Sequence, residues 1–269
     1  MNDLDTRLEA AVGLARAAGD LAMQYLPNPG AATATLKGAQ DWLTEADGAV
    51  EAFLAEQIGE LFPEDGFQGE EGGELRPGQR RWVVDPIDGT SNFARGGKRW
   101  CVSLGLIEGT TPLLGVLVAP ALDEVYAARL GGGATLNRRT IRAASTTEMP
   151  RAMIEVGWSP RRPNAEYQAI CARVQEAGAM LRSGGSGAMG LADVASGRLD
   201  GYVEAHINLW DVAAGLAILA EAGAYVSPFL DGSGPVSGDV IIAAAPRISA
   251  ELRQIWRPHA PQNAAFTES

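Results

Sequence analysis

The fold prediction starts from residues 82–92, which are Trp82-Val83-Val84-Asp85-Pro86-Ile87-Asp88-Gly89-Thr90-Ser91-Asn92. Val83 and Val84 are predicted to end a buried strand, because β-branched residues suit a pleated surface and turn residues bound the apolar run. Pro86 is then expected to stop the strand ladder. Two acids three residues apart in a turn can point their oxygens at one place, and two negative charges held that close require a cation. The stretch therefore predicts a metal site at the end of a strand.

The residues that follow the second acid predict a phosphate beside that metal. Gly89 lets the backbone pass close to a bound group. The segment Thr90-Ser91-Asn92 offers free backbone N–H groups at the expected start of a helix, which is where proteins commonly hold a phosphate. A metal and a phosphate are therefore expected together.

Four motifs extend this prediction over nearly the whole chain. Asp85-Pro86-Ile87-Asp88-Gly89-Thr90 resembles the signature of the inositol monophosphatase family, the Mg²⁺-dependent, lithium-sensitive phosphatases. Three further segments are similar to motifs of that family: Lys37 with Asp41, Thr44 and Asp47; Gly69-Glu70-Glu71; and Leu209-Trp210-Asp211-Val212-Ala213-Ala214-Gly215. Four motifs in the family's order give a strong signal where one alone would be weak.

The resemblance implies an α/β fold, a layered αβαβα sandwich of the inositol monophosphatase and fructose-1,6-bisphosphatase type. Its N-terminal part is expected to be α+β and its C-terminal part α/β, with the site between them. The alternation of strands and helices in the second half independently indicates an α/β layer. We place the seam within about ten residues of residue 145. Residues 1–145 are then expected to carry most metal ligands, and residues 146–269 to carry Asp211 and the substrate contacts.

The resemblance also implies the metal ligands, which are Glu70, Asp85, the Ile87 carbonyl, Asp88 and Asp211. These are the hard oxygen donors that Mg²⁺ prefers, and two or three ions are expected. One ion would use Glu70, Asp85 and the Ile87 carbonyl, and a second would use Asp85, Asp88 and Asp211. A third would be held mostly through waters near Glu70. From the residues alone, Glu70 and Glu71 are more simply explained as solvated surface acids.

Catalytic and substrate-binding roles come from the same resemblance. Asp47 and Thr90 would hold and polarise the attacking water, with Glu70 in the catalytic set and Lys37 nearby. The substrate-binding residues would be Asp88, the Gly89 and Thr90 amides, the Gly187 amide, Glu204 and Asp211. Without the resemblance, Asp47 is better explained as a helix-start acid favoured by the macrodipole. A solvated loop residue remains an alternative for Glu204, and Arg182 is a candidate to orient Glu204 by charge pairing.

Other motifs in the chain are weaker. Gly185-Ser186-Gly187-Ala188-Met189-Gly190 fits G-x-G-x-x-G, but a dinucleotide site needs a strong preceding strand, and this reaction class would leave five acids unexplained. An EF-hand starting at Asp85 fails because its twelfth position is Gly96. A P-loop at Gly97-Lys98 lacks the preceding glycine. His206 is more simply a hydrogen-bonded structural residue than part of a histidine-based site.

Composition limits the classes of partner. The net charge of −11 argues against a nucleic-acid or membrane surface, because phosphate groups require clustered Lys and Arg. Cys101 and Cys171 are the two cysteines, and their spacing predicts neither a disulfide framework nor a zinc site. No apolar run approaches the length that spans a bilayer, and no secretion signal is recognisable. We therefore expect a cytoplasmic protein that binds neither nucleic acid nor membrane.

The resulting function is hydrolysis of a small phosphate monoester by metal-activated water. Glu204 favours an inositol monophosphate or a similar polyol phosphate. Histidinol phosphate, fructose 1,6-bisphosphate and adenosine bisphosphates stay open as substrates, because relatives with similar metal sites use them and the loop Trp158–Pro163 cannot be interpreted from sequence. A non-catalytic regulatory binding protein on the same fold is an alternative of another class. The expected partners are the phosphate monoester and a second copy of the chain in a homodimer.

Overall fold

The computed structural model describes residues 3–26, 35–38, 41–43 and 45–256, with the backbone alone at 35–38 and 41–43. The helices in these ranges are α1 (Asp3–Tyr25), α2 (Glu45–Leu61), α3 (Thr90–Phe93), α4 (Asn164–Glu176), α5 (Gly187–Ala195), α6 (Leu209–Ala222), α7 (Gly234–Ser237) and α8 (Ser249–Trp256). No helix among them combines the length and the apolar character that a bilayer crossing needs.

The strands form a short hairpin and two larger sheets. The hairpin consists of β1 (Thr35–Gly38) and β2 (Asp41–Leu43). The strands of the first sheet are β3 (Gly66–Gly69), β4 (Gly73–Arg76), β5 (Arg80–Asp88), β6 (Cys101–Glu108), β7 (Thr111–Ala119), β8 (Glu124–Arg129), β9 (Gly133–Leu136) and β10 (Arg139–Thr140). The strands of the second sheet are β11 (Met153–Gly157), β12 (Met180–Arg182), β13 (Gly201–Ile207), β14 (Tyr225–Val226) and β15 (Asp239–Ala244).

The first sheet is mainly antiparallel, and the second is mixed. The first has the order β10-β9-β8-β7-β6-β5-β3-β4, in which β3 and β5 form the parallel pair. The second has the order β12-β11-β13-β15-β14; β11 runs parallel to β12 and β13, and β15 runs antiparallel to its neighbours. Strand and helix alternate in this half, as the sequence predicts.

Three apolar cores arrange these elements in five layers. The first core packs α1 and α2 on one face of the first sheet, the second packs α5 and α6 between the two sheets, and the third packs α4 and α8 on the far face of the second sheet. Side chains alternate along the strands, so Val84 faces the first core and the adjacent Val83 faces the second. The predicted αβαβα sandwich is confirmed.

Helix α6 approaches the first sheet closely because two glycines face it. A Cβ added to Gly105 would lie 2.6 Å from the Ala213 carbonyl carbon, and one added to Gly115 would lie 2.1 Å from the Ala214 oxygen. A strand interior contains glycine where another backbone comes this near. The close packing brings Asp211, in the first turn of α6, toward the end of β5.

The end of β5 differs from its prediction. The strand does not stop at Pro86 but continues to Asp88. Asp85 pairs with Ser103 and Asp88 with Cys101, so two residues of β5 lie opposite one residue of β6. This is a β-bulge, where a proline is tolerated and where side chains are re-aimed. The bulge replaces the predicted turn as the feature that directs both acids to one side.

The structure tests only some of the predictions made for the N-terminal half. β1 and β2 pair as a hairpin, with Thr35 opposite Leu43. The side chains of Lys37 and Asp41, and the whole of Thr44, lie outside the described residues, and their predicted roles stay predictions. The proposed seam near residue 145 falls between β10 and β11, and the division into two parts likewise stays a prediction.

Candidate metal centre

Three carboxylates from distant parts of the chain meet at one point. Asp85 and Asp88 lie at the bulged end of β5, and Asp211 lies in the first turn of α6. Their ligand oxygens are within 4.8 Å of one another. A cluster of hard oxygen donors at this spacing fits a divalent cation such as Mg²⁺. The structure therefore brings together three of the predicted ligands, whose roles as ligands stay predictions.

Electrostatics favour a bound cation at this cluster. Burial raises the pKa of Asp85 well above its usual range, and the charges of Glu70, Asp88 and Asp211 raise it further. Burial also raises the pKa of Asp88, against hydrogen bonds from Ser186 and backbone amides that lower it. Burial and then the charge of Asp88 raise the pKa of Asp211 to about 7. A divalent cation would offset the desolvation and the mutual repulsion that raise the pKa values of these acids.

Asp85 is held by the bulge itself. It is 1% exposed, and its Oδ1 accepts the Ile87 amide N–H at 2.9 Å. The Ile87 carbonyl in turn accepts the Thr90 hydroxyl at 2.9 Å. Gly89, directly before Thr90, has a φ of 93°, in the left-handed region that favours glycine. The local chain from the first acid to Thr90 is therefore fixed by its own short-range contacts.

Asp88 is held by the start of α5 in the second half of the chain. Its carboxylate accepts the Ser186 hydroxyl, the Gly187 amide at 3.2 Å and the Ala188 amide at 3.0 Å. A helix N-terminus stabilises a negative charge in this way. The Gly187 amide is thus bonded to Asp88 in this structure, and its predicted contact with substrate stays a prediction. Ser186 was missed from sequence, although a serine directly before a helix signals an N-cap.

Asp211 is fixed by the capping of its own helix. Its Oδ2 accepts the Asn208 backbone N–H at 2.8 Å, which is half of a capping box. Asp47 likewise lies in the first turn of its helix, α2, and is 1% exposed. The predicted action of Asp47 on a water molecule stays a prediction.

An open cleft of about 360 Å³ lies over the cluster. The predicted site residues that line it are Glu70, Asp88, Gly89, Thr90, Gly187, Glu204 and Asp211. Asp85 and Ile87 are buried below this lining, at 1% and 0% exposure. Most of the predicted set therefore surrounds one cavity of a size that suits a small molecule.

Glu204 has a partner that sequence analysis did not identify. The Tyr202 hydroxyl donates a hydrogen bond to Glu204 Oε2, and both residues line the cleft. Their side chains share a face because they lie two residues apart on β13, which was the available sequence signal. A Cβ at Gly157 would lie 2.2 Å from Glu204 Oε2, and one at Gly190 would lie 2.4 Å from the Tyr202 ring. Burial raises the pKa of Glu204 well above its usual range, partly opposed by the Tyr202 bond and the charge of Arg161.

The expected pairing of Arg182 with Glu204 is wrong. Arg182 Nε lies 3.6 Å from Glu155 Oε2 instead. Glu155 is also bonded by Arg99 at 2.8 Å, and Arg99 reaches Asp193 on α5 at 2.7 Å. This ionic cluster ties the segment after α3 to β11 and α5. It pairs the buried charges of Glu155 and Asp193 and anchors the C-terminal half of α5, a role that no local sequence pattern signals.

Two other sequence features are structural. The glycine-rich segment before and within α5 follows β12, a three-residue strand at the sheet edge, and the N-terminus of α5 holds Asp88. This arrangement does not match a dinucleotide site. His206 Nε2 lies 2.9 Å from the Ser237 carbonyl oxygen, as expected for a hydrogen-bonded structural histidine.

Comparisons with known proteins agree with this geometry. The model of the inositol monophosphatase family matches residues 3–258. A protein named Nus factor SuhB from Xylella fastidiosa is 36% identical over 254 residues, covering 91% of this chain and 92% of its own length. An inositol-1-monophosphatase from Synechocystis is 38% identical over 221 residues, covering 80% and 77%. The solved structure of an inositol monophosphatase from Anabaena (Nostoc) has a TM-score of 0.82 and 33% identity, covering 94% and 96%. The chain therefore belongs to the inositol monophosphatase family.

Proposed function

We propose that this protein is a Mg²⁺-dependent phosphatase that hydrolyses a small phosphate monoester. The observation that carries the proposal is the convergence of Asp85, Asp88 and Asp211 within 4.8 Å below a cleft that Glu70 and Thr90 also line. Family membership supports phosphatase activity in general.

The acids fit the expected metal because they are hard oxygen donors whose pKa values are raised together. Glu70, Asp85 and the Ile87 carbonyl would hold one ion, and Asp85, Asp88 and Asp211 would hold a second. A third ion is expected near Glu70. When bound, Mg²⁺ supplies a water of lowered pKa and positive charge beside the departing oxygen.

The side chains around the cluster would perform the other steps. Asp47 and the Thr90 hydroxyl would hold and polarise the attacking water. The Gly89 and Thr90 amides would bind the phosphate oxygens, and Asp88 and Asp211 would face the substrate. A direct attack by water needs no covalent phosphoenzyme, so none of these residues has to act as a nucleophile.

The proposed substrate is an inositol monophosphate or a similar polyol phosphate. Glu204 supports this choice because it is a buried acid on the cleft wall, where a carboxyl group can exchange hydrogen bonds with a hydroxyl. Histidinol phosphate, fructose 1,6-bisphosphate and adenosine bisphosphates are the alternatives within the same reaction.

Phosphate release from a panel of these monoesters tests the proposal. We expect turnover with Mg²⁺, no turnover in EDTA, inhibition by Li⁺, and the highest kcat/KM for a polyol phosphate. A substrate other than a polyol phosphate at the top of the ranking would move the assignment to that alternative. No release from any member of the panel at saturating Mg²⁺ would contradict a phosphatase.

A regulatory binding role is the second candidate, because one relative is named Nus factor SuhB. The presence of every predicted metal-site acid in the chain favours catalysis, since a protein that only binds does not need a water-activating pair. The two roles are separable by an Asp88→Asn variant. A regulatory role would survive this change, whereas turnover would not.

We also propose a cytoplasmic homodimer. The pairing follows from the family resemblance, and both cysteines are free thiols in the structure, as suits a reducing compartment. Light scattering coupled to size-exclusion chromatography would measure twice the 28.2 kDa of one chain.

A further inference from the structure

The loop that carries Glu70 is fixed from two sides. On one side, the Glu70 amide donates to the Val84 carbonyl at 3.2 Å, directly before Asp85. On the other side, the Glu51 side chain accepts two amides of the loop. Its Oε2 accepts the Glu71 N–H at 2.8 Å, and its Oε1 accepts the Gly72 N–H at 2.6 Å.

Glu51 belongs to the helix that also carries Asp47. Both residues are on α2, four positions apart, so they share one face of the helix. Both are buried, with exposures of 5% for Glu51 and 1% for Asp47. A buried carboxylate needs strong partners, and hydrogen bonds from two amides to a charged acceptor provide them.

The loop sequence leaves room for this carboxylate. A Cβ at Gly69 would lie 2.2 Å from Glu51 Oε2, and a Cβ at Gly72 would lie 2.9 Å from Oε1. Any side chain at Gly69 would therefore push the carboxylate away. The glycines on either side of the acid pair, which look in sequence like an ordinary loop, allow the contact between helix and loop.

We propose that Glu51 is a positioning residue of the metal centre. It binds the two amides that follow Glu70, and so fixes the backbone of a metal ligand relative to α2 and Asp47. Glu70, which would bind the metal, and Asp47, which would hold the water, are thereby kept at a constant distance from each other. This inference rests on the proposed function. Partners that orient metal ligands commonly contribute 10–100-fold to metal affinity.

A Glu51→Gln variant tests the role with little change in shape. The amide oxygen can accept one loop N–H, but the amide nitrogen opposes the other, so one hydrogen bond is replaced by a repulsive contact. The matched control is Glu56→Gln, the same substitution at an exposed position of the same helix.

The readout is the Mg²⁺ dissociation constant from isothermal titration calorimetry, with the thermal midpoint in EDTA as a measure of folding. We expect Mg²⁺ binding at least about tenfold weaker in the Glu51→Gln variant and changed less than about twofold in the control. Phosphate release should need correspondingly more Mg²⁺. A folded Glu51→Gln variant with wild-type Mg²⁺ affinity would overturn the inference, and so would a lower midpoint in EDTA without weaker Mg²⁺ binding.

A second variant keeps the test decisive if Glu51→Gln does not fold. Gly69→Ala disrupts the same contact by a change in the loop, because the added Cβ would clash with the Glu51 carboxylate. Its control is Gly13→Ala, where an added Cβ meets nothing within 4 Å. We expect Gly69→Ala to weaken Mg²⁺ binding and Gly13→Ala to leave it unchanged; equal affinities would overturn the inference. Wild-type protein that binds no Mg²⁺ would overturn the proposed function as well, so the two failures are distinguishable.

Discussion

Asp88 and Glu204 are both buried carboxylates that line the cleft, but their hydrogen-bond donors differ. Asp88 is held by the amides of Gly187 and Ala188 together with a hydroxyl. Glu204 accepts the hydroxyl of one side chain, Tyr202. Backbone donors persist whatever the side chains are, whereas the Tyr202 donor disappears with one substitution. We call the part of the site around Asp85, Asp88 and Asp211 the metal end, and the part around Tyr202 and Glu204 the substrate end. The comparison predicts that the metal end depends on its own acids, whereas substitution of a single partner residue can alter the substrate end.

The largest expected effect comes from removing a metal-end acid. Asp211→Asn keeps the shape and the position in α6 but removes a charge from the cluster. We predict a loss of turnover greater than the roughly 100-fold upper range for partners of metal ligands. Phosphate release at increasing Mg²⁺ measures the loss, and wild-type rates at saturating Mg²⁺ would remove Asp211 from the ligand set.

The fold of this variant should survive. Burial and the charge of Asp88 raise the pKa of Asp211, so its ionised form is disfavoured in the metal-free protein. A thermal midpoint in EDTA at or above that of the wild type is therefore expected, and it serves as the folding control. A much lower midpoint would assign the lost activity to unfolding instead.

A smaller effect is expected at the substrate end. Tyr202→Phe removes the hydroxyl that Glu204 accepts and leaves the ring against Gly190. A typical intramolecular hydrogen bond is worth about 1 kcal/mol, or about fivefold. We predict that KM for a polyol phosphate rises by about this factor while kcat changes little. An aryl phosphate without hydroxyl groups is the control, and its KM should stay constant; an equal rise for both would show a general disturbance of the cleft.

The difference between the metal end and the substrate end also explains which site residues could be predicted from the sequence. The metal end is assembled from segments that are distant in the chain but each carry a local signal, namely a strand end with two nearby acids and the starts of two helices. The substrate end depends on contacts between remote segments, such as Gly157 against Tyr202 and Arg182 against Glu155. No local pattern marks such pairs, which is why Arg182 was misassigned. The missed bond between Tyr202 and Glu204 is different, because alternation along β13 places the two side chains on one face and could have indicated it. The bulge at Pro86 also depends on its register with β6, which β5 alone does not specify.

A third prediction concerns the pH dependence of the metal-free protein. The folded pKa of Asp211 is about 7, above its ordinary value of 3.8, so the folded state binds this proton more tightly than the unfolded chain does. Its contribution to stability is present below the ordinary value and is lost as pH rises toward and through about 7. In EDTA the thermal midpoint should therefore fall between about pH 5 and about pH 8.

Adding Mg²⁺ makes the test of pH dependence more specific, because the cation binds the deprotonated acids. Saturating Mg²⁺ should remove or reverse the fall, and Asp211→Asn should flatten it in EDTA. Identical pH profiles with and without Mg²⁺ would mean that the cation does not bind at the cluster.

The smallest effect is expected for Arg182, which lies on the edge strand β12 with its side chain 41% exposed. Arg182 forms an ion pair with Glu155, and Arg99 binds the same carboxylate at a shorter distance. Solvent screens the exposed Arg182 end of this pair and side-chain entropy opposes it, so we expect it to contribute about 0–1 kcal/mol, as surface ion pairs do. Arg182→Gln should therefore change KM for a polyol phosphate by less than about twofold. If KM instead rises as it does in Tyr202→Phe, Arg182 acts on Glu204 after all, and the substrate end depends on a second side chain that the structure directs elsewhere.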